Sequence, residues 1–367
     1  MTVCGPPEHA SSRWLAGPYL HAEADGIYDP LGDRRMDRTD ERHAALRALL
    51  ERRGCEVDVS RARHARLAAD GWLTRDGPEV DRRSRLRFVS LETHSVCNQA
   101  CAFCPVSIAP RSRERMPTSL FDRIVADLAC SRATIEAVFL NNYNEPTLDV
   151  RFLEQVRGLL AAGLPPAVLT NGTGLTPERC RSLVQMGGLR FVSVNLSTLD
   201  RERYRRERGR DHLDGVLANL DFAAELRIAE RMEIAVLGPG DARHRRDFES
   251  IAERFAGTRF AVRSFELMDR AGRMPGGRRP ATPHRALRGC ENLGSRPLQH
   301  LHVTASGRCV FCCEDYDERH VVGDLRSQSV AEVLAGDALV RLRRWAYGRE
   351  DAPADFLCRK CVFALTA

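Results

Sequence analysis

Three cysteines fall within the stretch Cys97-Asn98-Gln99-Ala100-Cys101-Ala102-Phe103-Cys104. The run before them, Leu86-Arg87-Phe88-Val89-Ser90-Leu91-Glu92, alternates like a strand, so the thiols belong to the loop that follows it and can converge on one soft metal centre. Iron–sulfur clusters take such ligands. No fourth Cys or His stands beside the three, so a cubane held here would keep one iron without a protein ligand, open to a substrate or cofactor. The competing readings are a three-cysteine zinc site short of a ligand and a chance cluster of core cysteines.

A second constellation lies in the last third: Cys290, then Gly307-Arg308-Cys309-Val310-Phe311-Cys312-Cys313, then Cys358-Arg359-Lys360-Cys361. We assign Cys290, Cys312, Cys358 and Cys361 to one fully ligated cluster. Whether Cys312 or its neighbour Cys313 is the ligand stays open, and structural zinc is the rival, because a terminal CxxC also describes a zinc ribbon.

These loops need a scaffold. From Arg85 to about Arg279 short apolar runs alternate with longer amphipathic ones, the pattern of βα units around a parallel sheet. The expected strands are Arg87–Leu91, Ile135–Asn141, Ala167–Thr170, Phe191–Leu196, Glu233–Leu237 and Phe260–Leu267. Polar groups gather where these strands end: Asn141-Asn142-Tyr143-Asn144-Glu145-Pro146-Thr147, Thr170-Asn171-Gly172-Thr173 and Asn195-Leu196-Ser197. Arg270-Ala271-Gly272-Arg273, beside Pro275-Gly276-Gly277, reads as an exposed linker before it reads as a substrate-facing loop. Upstream, short extended segments at Tyr19–His21 and Gly26–Tyr28 lead through a turn at Asp29-Pro30-Leu31-Gly32. Helices are expected over Asp40–Arg53 and Ser60–Asp70, stopped by Gly54 and Gly71. Three units follow: 1–84, 85–280 and 281–367.

The CxxxCxxC spacing with Phe103 before its last cysteine resembles the radical S-adenosylmethionine (SAM) superfamily. The resemblance implies a partial (β/α)6 TIM-type barrel and a [4Fe–4S] cluster on Cys97, Cys101 and Cys104 whose open iron chelates SAM. It also implies hydrogen abstraction from substrate by a 5′-deoxyadenosyl radical. SAM contacts are carried over to Phe103, Asn144, Glu145, Thr170, Asn171, Asn195 and Ser197. Where the family usually has Gly-Gly-Glu-Pro, this chain keeps Glu145 and Pro146 but places Tyr143 and Asn144 at the glycine positions. The last third is similar to the twitch version of the SPASM extension, including Gly323-Asp324-Leu325 and a helix near Ser329 to Leu334, which implies one auxiliary [4Fe–4S] cluster and two clusters in all. Residues 1–84 resemble small winged-helix, PqqD-like units that recognise leader peptides; a plain structural cap is the other reading.

Composition limits the functional classes. A net charge of +6, from 56 basic and 50 acidic residues, is spread along the chain. Arg201 to Arg210 therefore reads as solvated helix face, and neither nucleic-acid nor membrane partners are expected. Of 13 cysteines, Cys4, Cys55, Cys130, Cys180, Cys309 and Cys313 fall outside the two metal sites, most of them as small buried residues. No signal-peptide pattern or long apolar run is visible, so a soluble, cytoplasmic protein is expected.

Radical SAM relatives with a twitch cluster imply oxidation or epimerisation at a carbinol carbon of a sugar or cyclitol in natural-product biosynthesis, fed by a flavodoxin- or ferredoxin-type electron donor. Cys309 and Cys313 are the candidate hydrogen donors. The alternatives are radical modification of a ribosomal precursor peptide and a non-catalytic zinc or iron–sulfur protein.

Overall fold

The computed structural model describes residues 13–52 and 54–366; Cys4 lies outside them. Six strands, Phe88–Leu91, Ala137–Phe139, Pro166–Thr170, Leu189–Asn195, Ala229–Gly238 and Phe260–Glu266, run parallel and side by side in chain order. Parallel neighbours require a crossover. The first crossover helix, Thr118–Ala129, buries Leu120, Phe121, Ile124, Val125 and Leu128 on one face, which drives it onto the sheet. Thr176, Asp200 and Asp241 cap later helices by accepting a first-turn N–H. The expected α/β partial barrel is present.

Most bounds shift by one or two residues, and two strands differ most in extent from expectation. The second ends at Phe139 rather than Asn141, because the Asn141 amide oxygen accepts the Leu169 N–H at 3.1 Å as the chain turns out of the sheet. The fifth begins four residues early, at Ala229; Glu230 and Arg231 point outward there and mask the alternation, and Glu230 pairs with Arg190 on the neighbouring strand.

After the barrel, His300–Val303 lies parallel beside the first barrel strand, with Leu301 opposite Val89. Arg308–Val310 and Val321–Asp324 add antiparallel partners, making one nine-stranded sheet. The C-terminal segment is thus hydrogen-bonded into the barrel. Leu287–Cys290 pairs antiparallel with Ala364–Thr366 and sets Cys290 opposite Ala364. The helix expected near Ser329 is Val330–Leu334, with Ser329 and Glu332 forming a capping box.

The N-terminal segment has a three-stranded and a two-stranded antiparallel sheet, two helices longer than a single turn, and its own core around Ile27, Leu46, Leu67 and Trp72. Its helices, His43–Glu51 and Ala62–Ala69, start later than the apolar spacing suggests. Asp40 and Asp58 accept the N–H two residues on, at 2.9 and 3.0 Å, and hold the chain in turns instead. Gln299 fixes this segment to the barrel by donating to Tyr28 Oη and to the Pro30 carbonyl, at 2.8 and 2.7 Å. Most of the spare cysteines are expected to be buried; Cys180 and Cys309 are, Cys313 is half-buried, and Cys55 and Cys130 are exposed. Among the described residues no helix is long and apolar enough to cross a membrane.

Candidate active site

The C-terminal ends of the barrel strands surround a cleft of about 320 Å³ whose wall includes Cys97, Cys101 and Cys104. Such strand ends are where parallel sheets present loop groups to ligands. The cysteine loop is seated on the helix Arg201–Arg208: Ala100 N–H donates to the Arg208 carbonyl at 3.0 Å and Ala102 N–H to the Glu207 carbonyl at 2.8 Å. These are carbonyls a helix end leaves without internal partners. Gly209, in the left-handed conformation at φ 66°, ends the helix there.

The donor set fits an iron–sulfur cluster better than a single ion. Among the described residues, the only cysteine, histidine or carboxylate group with all its ligand atoms within 4.8 Å of one another is His302, Cys312 and Cys313. Cys97, Cys101 and Cys104 offer three soft thiolates from one loop, the ligand type of such clusters. Burial pushes the Cys97 thiol up to about 12 and raises Cys104 as well; metal ligation would take the protons these thiols otherwise keep.

Phe103, Asn144, Glu145, Thr170, Asn171 and Asn195 all line this cleft. Ser197 lies in an adjoining cavity of about 280 Å³ and is joined to Asn195 by a 3.1 Å hydrogen bond. Glu145 is the best-held carboxylate of the site. Its Oε1 accepts from the Thr147 and Thr170 hydroxyls, both at 2.6 Å, and its Oε2 from the Asn171 N–H at 2.7 Å. Burial raises its pKa against these bonds, and Oε2 retains capacity for one more donor.

Two sequence expectations are corrected. Arg208 belongs to the arginine run taken as solvated, yet it is 2% exposed and lines the cleft. Its Nη1 lies 3.7 Å from Cys101 Sγ, while Nη2 donates to Asn195 Oδ1 at 2.6 Å and to Ser197 Oγ at 3.1 Å. Arg270, expected in an exposed linker, also faces the cleft. Its Nη1 is 3.2 Å from Glu314 Oε1, and that carboxylate, foremost, raises its pKa and keeps it charged.

Other groups were not singled out in the sequence. Arg296, His300 and His302 line the wall contributed by the C-terminal segment. The two imidazoles stack with centroids 4.0 Å apart; burial holds both well below their usual pKa, so they are neutral. A His-Leu-His-Val alternation could have flagged them as one face of a strand.

The two candidate hydrogen donors part company. Cys313 lines the cleft and its sulfur accepts from Arg296. Cys309 is in the apolar core, fully buried on the strand Arg308–Val310 and away from the cleft. For the second cluster, Cys290, Cys358 and Cys361 lie within electrostatic reach of one another, and burial foremost raises all three.

Residues 91–254 match the radical SAM superfamily and residues 290–362 match the SPASM iron–sulfur cluster-binding domain. Among curated proteins, the GTP 3',8-cyclase of Rhodococcus opacus is 31% identical over 166 residues, covering 44% of this chain and 46% of that one. The S-adenosyl-L-methionine-dependent 2-deoxy-scyllo-inosamine dehydrogenase of Niallia circulans is 21% identical over 277 residues, 74% of this chain and 91% of that one. This chain spans less than half the length of several curated relatives it matches, the cyclase among them. In fold it is similar to Streptococcus suis SuiB bound to precursor peptide SuiA, with a TM-score of 0.55 at 10% identity, covering 89% of this chain and 90% of that one. A second solved structure, anSMEcpe with bound AdoMet and Cp18Cys peptide, gives 0.53 at 14% identity, covering 76% and 86%.

Proposed function

Because this chain is a radical SAM enzyme with a SPASM domain, we propose that it removes a hydrogen atom from a carbinol carbon of a sugar or cyclitol and that Cys313 returns one, inverting the centre. One observation carries the reading: Cys313 lines the same cleft as Cys97, Cys101 and Cys104. A SAM-binding [4Fe–4S] cluster and additional iron–sulfur centres come with the two domains; when bound, the first of them with SAM supplies hydrogen-atom abstraction.

The protein's own groups do the rest. Cys97, Cys101 and Cys104 hold the first cluster, while Cys290, Cys358, Cys361 and one of the vicinal pair Cys312 and Cys313 hold a second; the donor role assigns Cys312 to ligation. Arg208 and Glu145 orient the charged end of SAM, and Arg270 and the neutral His300 and His302 face substrate hydroxyls. Hydrogen delivery breaks the Cys313 S–H bond and forms a substrate C–H bond. The sulfur then needs one electron from the low-potential donor and one solvent proton to regain its starting state. When bound, the second cluster would supply an electron acceptor, and with the hydroxyl proton released to solvent the alternative product would be a ketone.

The test uses anaerobically reconstituted protein with SAM and dithionite in deuterium oxide, supplied with a panel of cyclitols and aminocyclitols that includes 2-deoxy-scyllo-inosamine. Carbon-bound deuterium should appear in a product of unchanged mass otherwise, disappear in Cys313→Ser, and leave 5′-deoxyadenosine formation in that variant. A Cys97→Ala, Cys101→Ala, Cys104→Ala variant should lose 5′-deoxyadenosine and fall from about eight iron per chain to about four. Label that survives Cys313→Ser overturns the donor role. The second reading, peptide modification, draws on one feature: a groove of about 910 Å³ between the helices His43–Glu51 and Ala62–Ala69.

A further inference from the structure

Tyr143 stands where the superfamily usually has a glycine, and its side chain is buried at 8% exposure. Instead of leaving space beside Glu145, the phenol crosses from the second barrel strand to the C-terminal segment, where Oη donates to the Cys313 carbonyl. Its ring meets Tyr316 edge-on, centroids 4.8 Å apart at 85°. The Arg111 guanidinium lies over both rings, 5.6 Å from Tyr143 and 5.3 Å from Tyr316. Behind the rings, the fully buried Glu92 pairs with Arg111 and accepts the Tyr143 N–H at 3.1 Å and the Ala305 N–H at 3.3 Å. The end of the first strand, the loop after the cluster cysteines and the C-terminal hairpin are thereby closed around one phenol.

The two neighbouring cysteines are anchored differently. Cys312 has its carbonyl satisfied inside its own turn, by Asp315 N–H at 3.0 Å. Cys313 is held from outside the turn, at its carbonyl by Tyr143 and at its sulfur by Arg296. Their sulfurs lie within 4.8 Å of each other, so a modest rotation of this turn would change which thiol faces the cleft. We propose that Tyr143 is a positioning residue that keeps the Cys313 thiol turned into the cleft and leaves Cys312 to the second cluster. This rests on the reading of Cys313 as hydrogen donor, and it gives the missing glycine a purpose that the SAM contacts do not.

The test is iodoacetamide capture in the anaerobic, cluster-loaded protein, mapped by peptide mass, in wild type and Tyr143→Phe. The variant keeps the ring and loses only the hydroxyl. The ratio of capture at Cys313 to capture at Cys312 should fall about fivefold, the weight of one hydrogen bond, while the electron paramagnetic resonance signal of the SAM-binding cluster stays in place and the thermal midpoint falls only by what that one bond contributes. A role confined to packing would move the midpoint and not the site of capture. If the phenylalanine variant loses its fold, Tyr316→Phe with its hydroxyl bond to the Ala109 carbonyl removed serves as the second variant, with a smaller fall in capture expected. Unchanged capture at Cys313 in a folded variant overturns the positioning role alone. Undiminished deuterium delivery in Cys313→Ser, by contrast, overturns the donor reading beneath it.

Discussion

Arg208 touches the Cys101 sulfur with one nitrogen, at 3.7 Å, and the Asn195 amide oxygen with the other, at 2.6 Å. The same residue ends the helix whose carbonyls hold the cysteine loop. One side chain therefore ties the expected cluster loop to the polar end of the fourth strand. With its charge desolvated, it should recognise a carboxylate strongly. Arg208→Gln should weaken SAM binding about tenfold or more, the worth of a charge-assisted hydrogen bond, read from the SAM concentration that perturbs the reduced cluster's spectrum. An unaltered midpoint would remove Arg208 from SAM recognition.

Gly172 in Thr170-Asn171-Gly172-Thr173 adopts φ +81°, and a Cβ there would meet Val194 Cγ1 at 3.0 Å and Val216 Cγ1 at 3.1 Å. Both the backbone and the space demand glycine at this position. Gly172→Ala should cost about 1–3 kcal/mol in denaturant unfolding. Because Asn171 N–H is a principal donor to Glu145, SAM affinity should fall as well.

Local signals marked the barrel and its loops well, because parallel strands buried on both faces leave apolar runs such as Ala137-Val138-Phe139-Leu140 and cysteines stand out at any spacing. What failed was the reading of charge. Arg203 and Arg208 look the same in sequence as their exposed neighbours, and only the burial of one helix face, with Thr198, Asp247 and Asn195 as partners, distinguishes them. Arg270 was hidden by the glycines and prolines around it, which mark a turn without saying whether it faces solvent or a cleft. His300–Val303 was missed as a strand because its pairing partner lies more than two hundred residues away, a contact that no local period encodes. Tyr143 was visible as a departure from the usual glycine, yet its partner, the Cys313 carbonyl, was not.

Cys309 gives a control for the vicinal pair. It is fully buried on the strand Arg308–Val310, and burial foremost pushes its thiol far above the usual range. Cys309→Ser buries a hydroxyl in place of a weakly polar thiol and should cost about 1–3 kcal/mol by denaturant unfolding, leaving deuterium delivery to product intact. Cys313→Ser should show the reverse, with little loss of stability and loss of label. Loss of label in a folded Cys309→Ser would make this core thiol the donor.

Asp149 secures the turn that presents Glu145, through its own N–H to the Pro146 carbonyl at 3.2 Å. Its carboxylate accepts from Arg151 Nη2 at 2.8 Å and from Gln155 Nε2 and Arg115 Nη2, each at 3.0 Å. Burial alone would raise its pKa, but the Arg151 and Gln155 hydrogen bonds outweigh it and hold the carboxyl well below the usual range. A folded pKa below the unfolded one gives stability that is fully present above about pH 4 and lost as pH falls through the folded value. Asp149→Asn should therefore cost about 1–3 kcal/mol at neutral pH, with a penalty that shrinks steadily below about pH 4. Denaturant midpoints of the two proteins, compared at each pH, cancel whatever acid does to cofactors in both. A penalty independent of pH would show that the charge of Asp149 does not hold this turn, and the geometry of Glu145 would then depend on its own donors Thr147, Thr170 and Asn171.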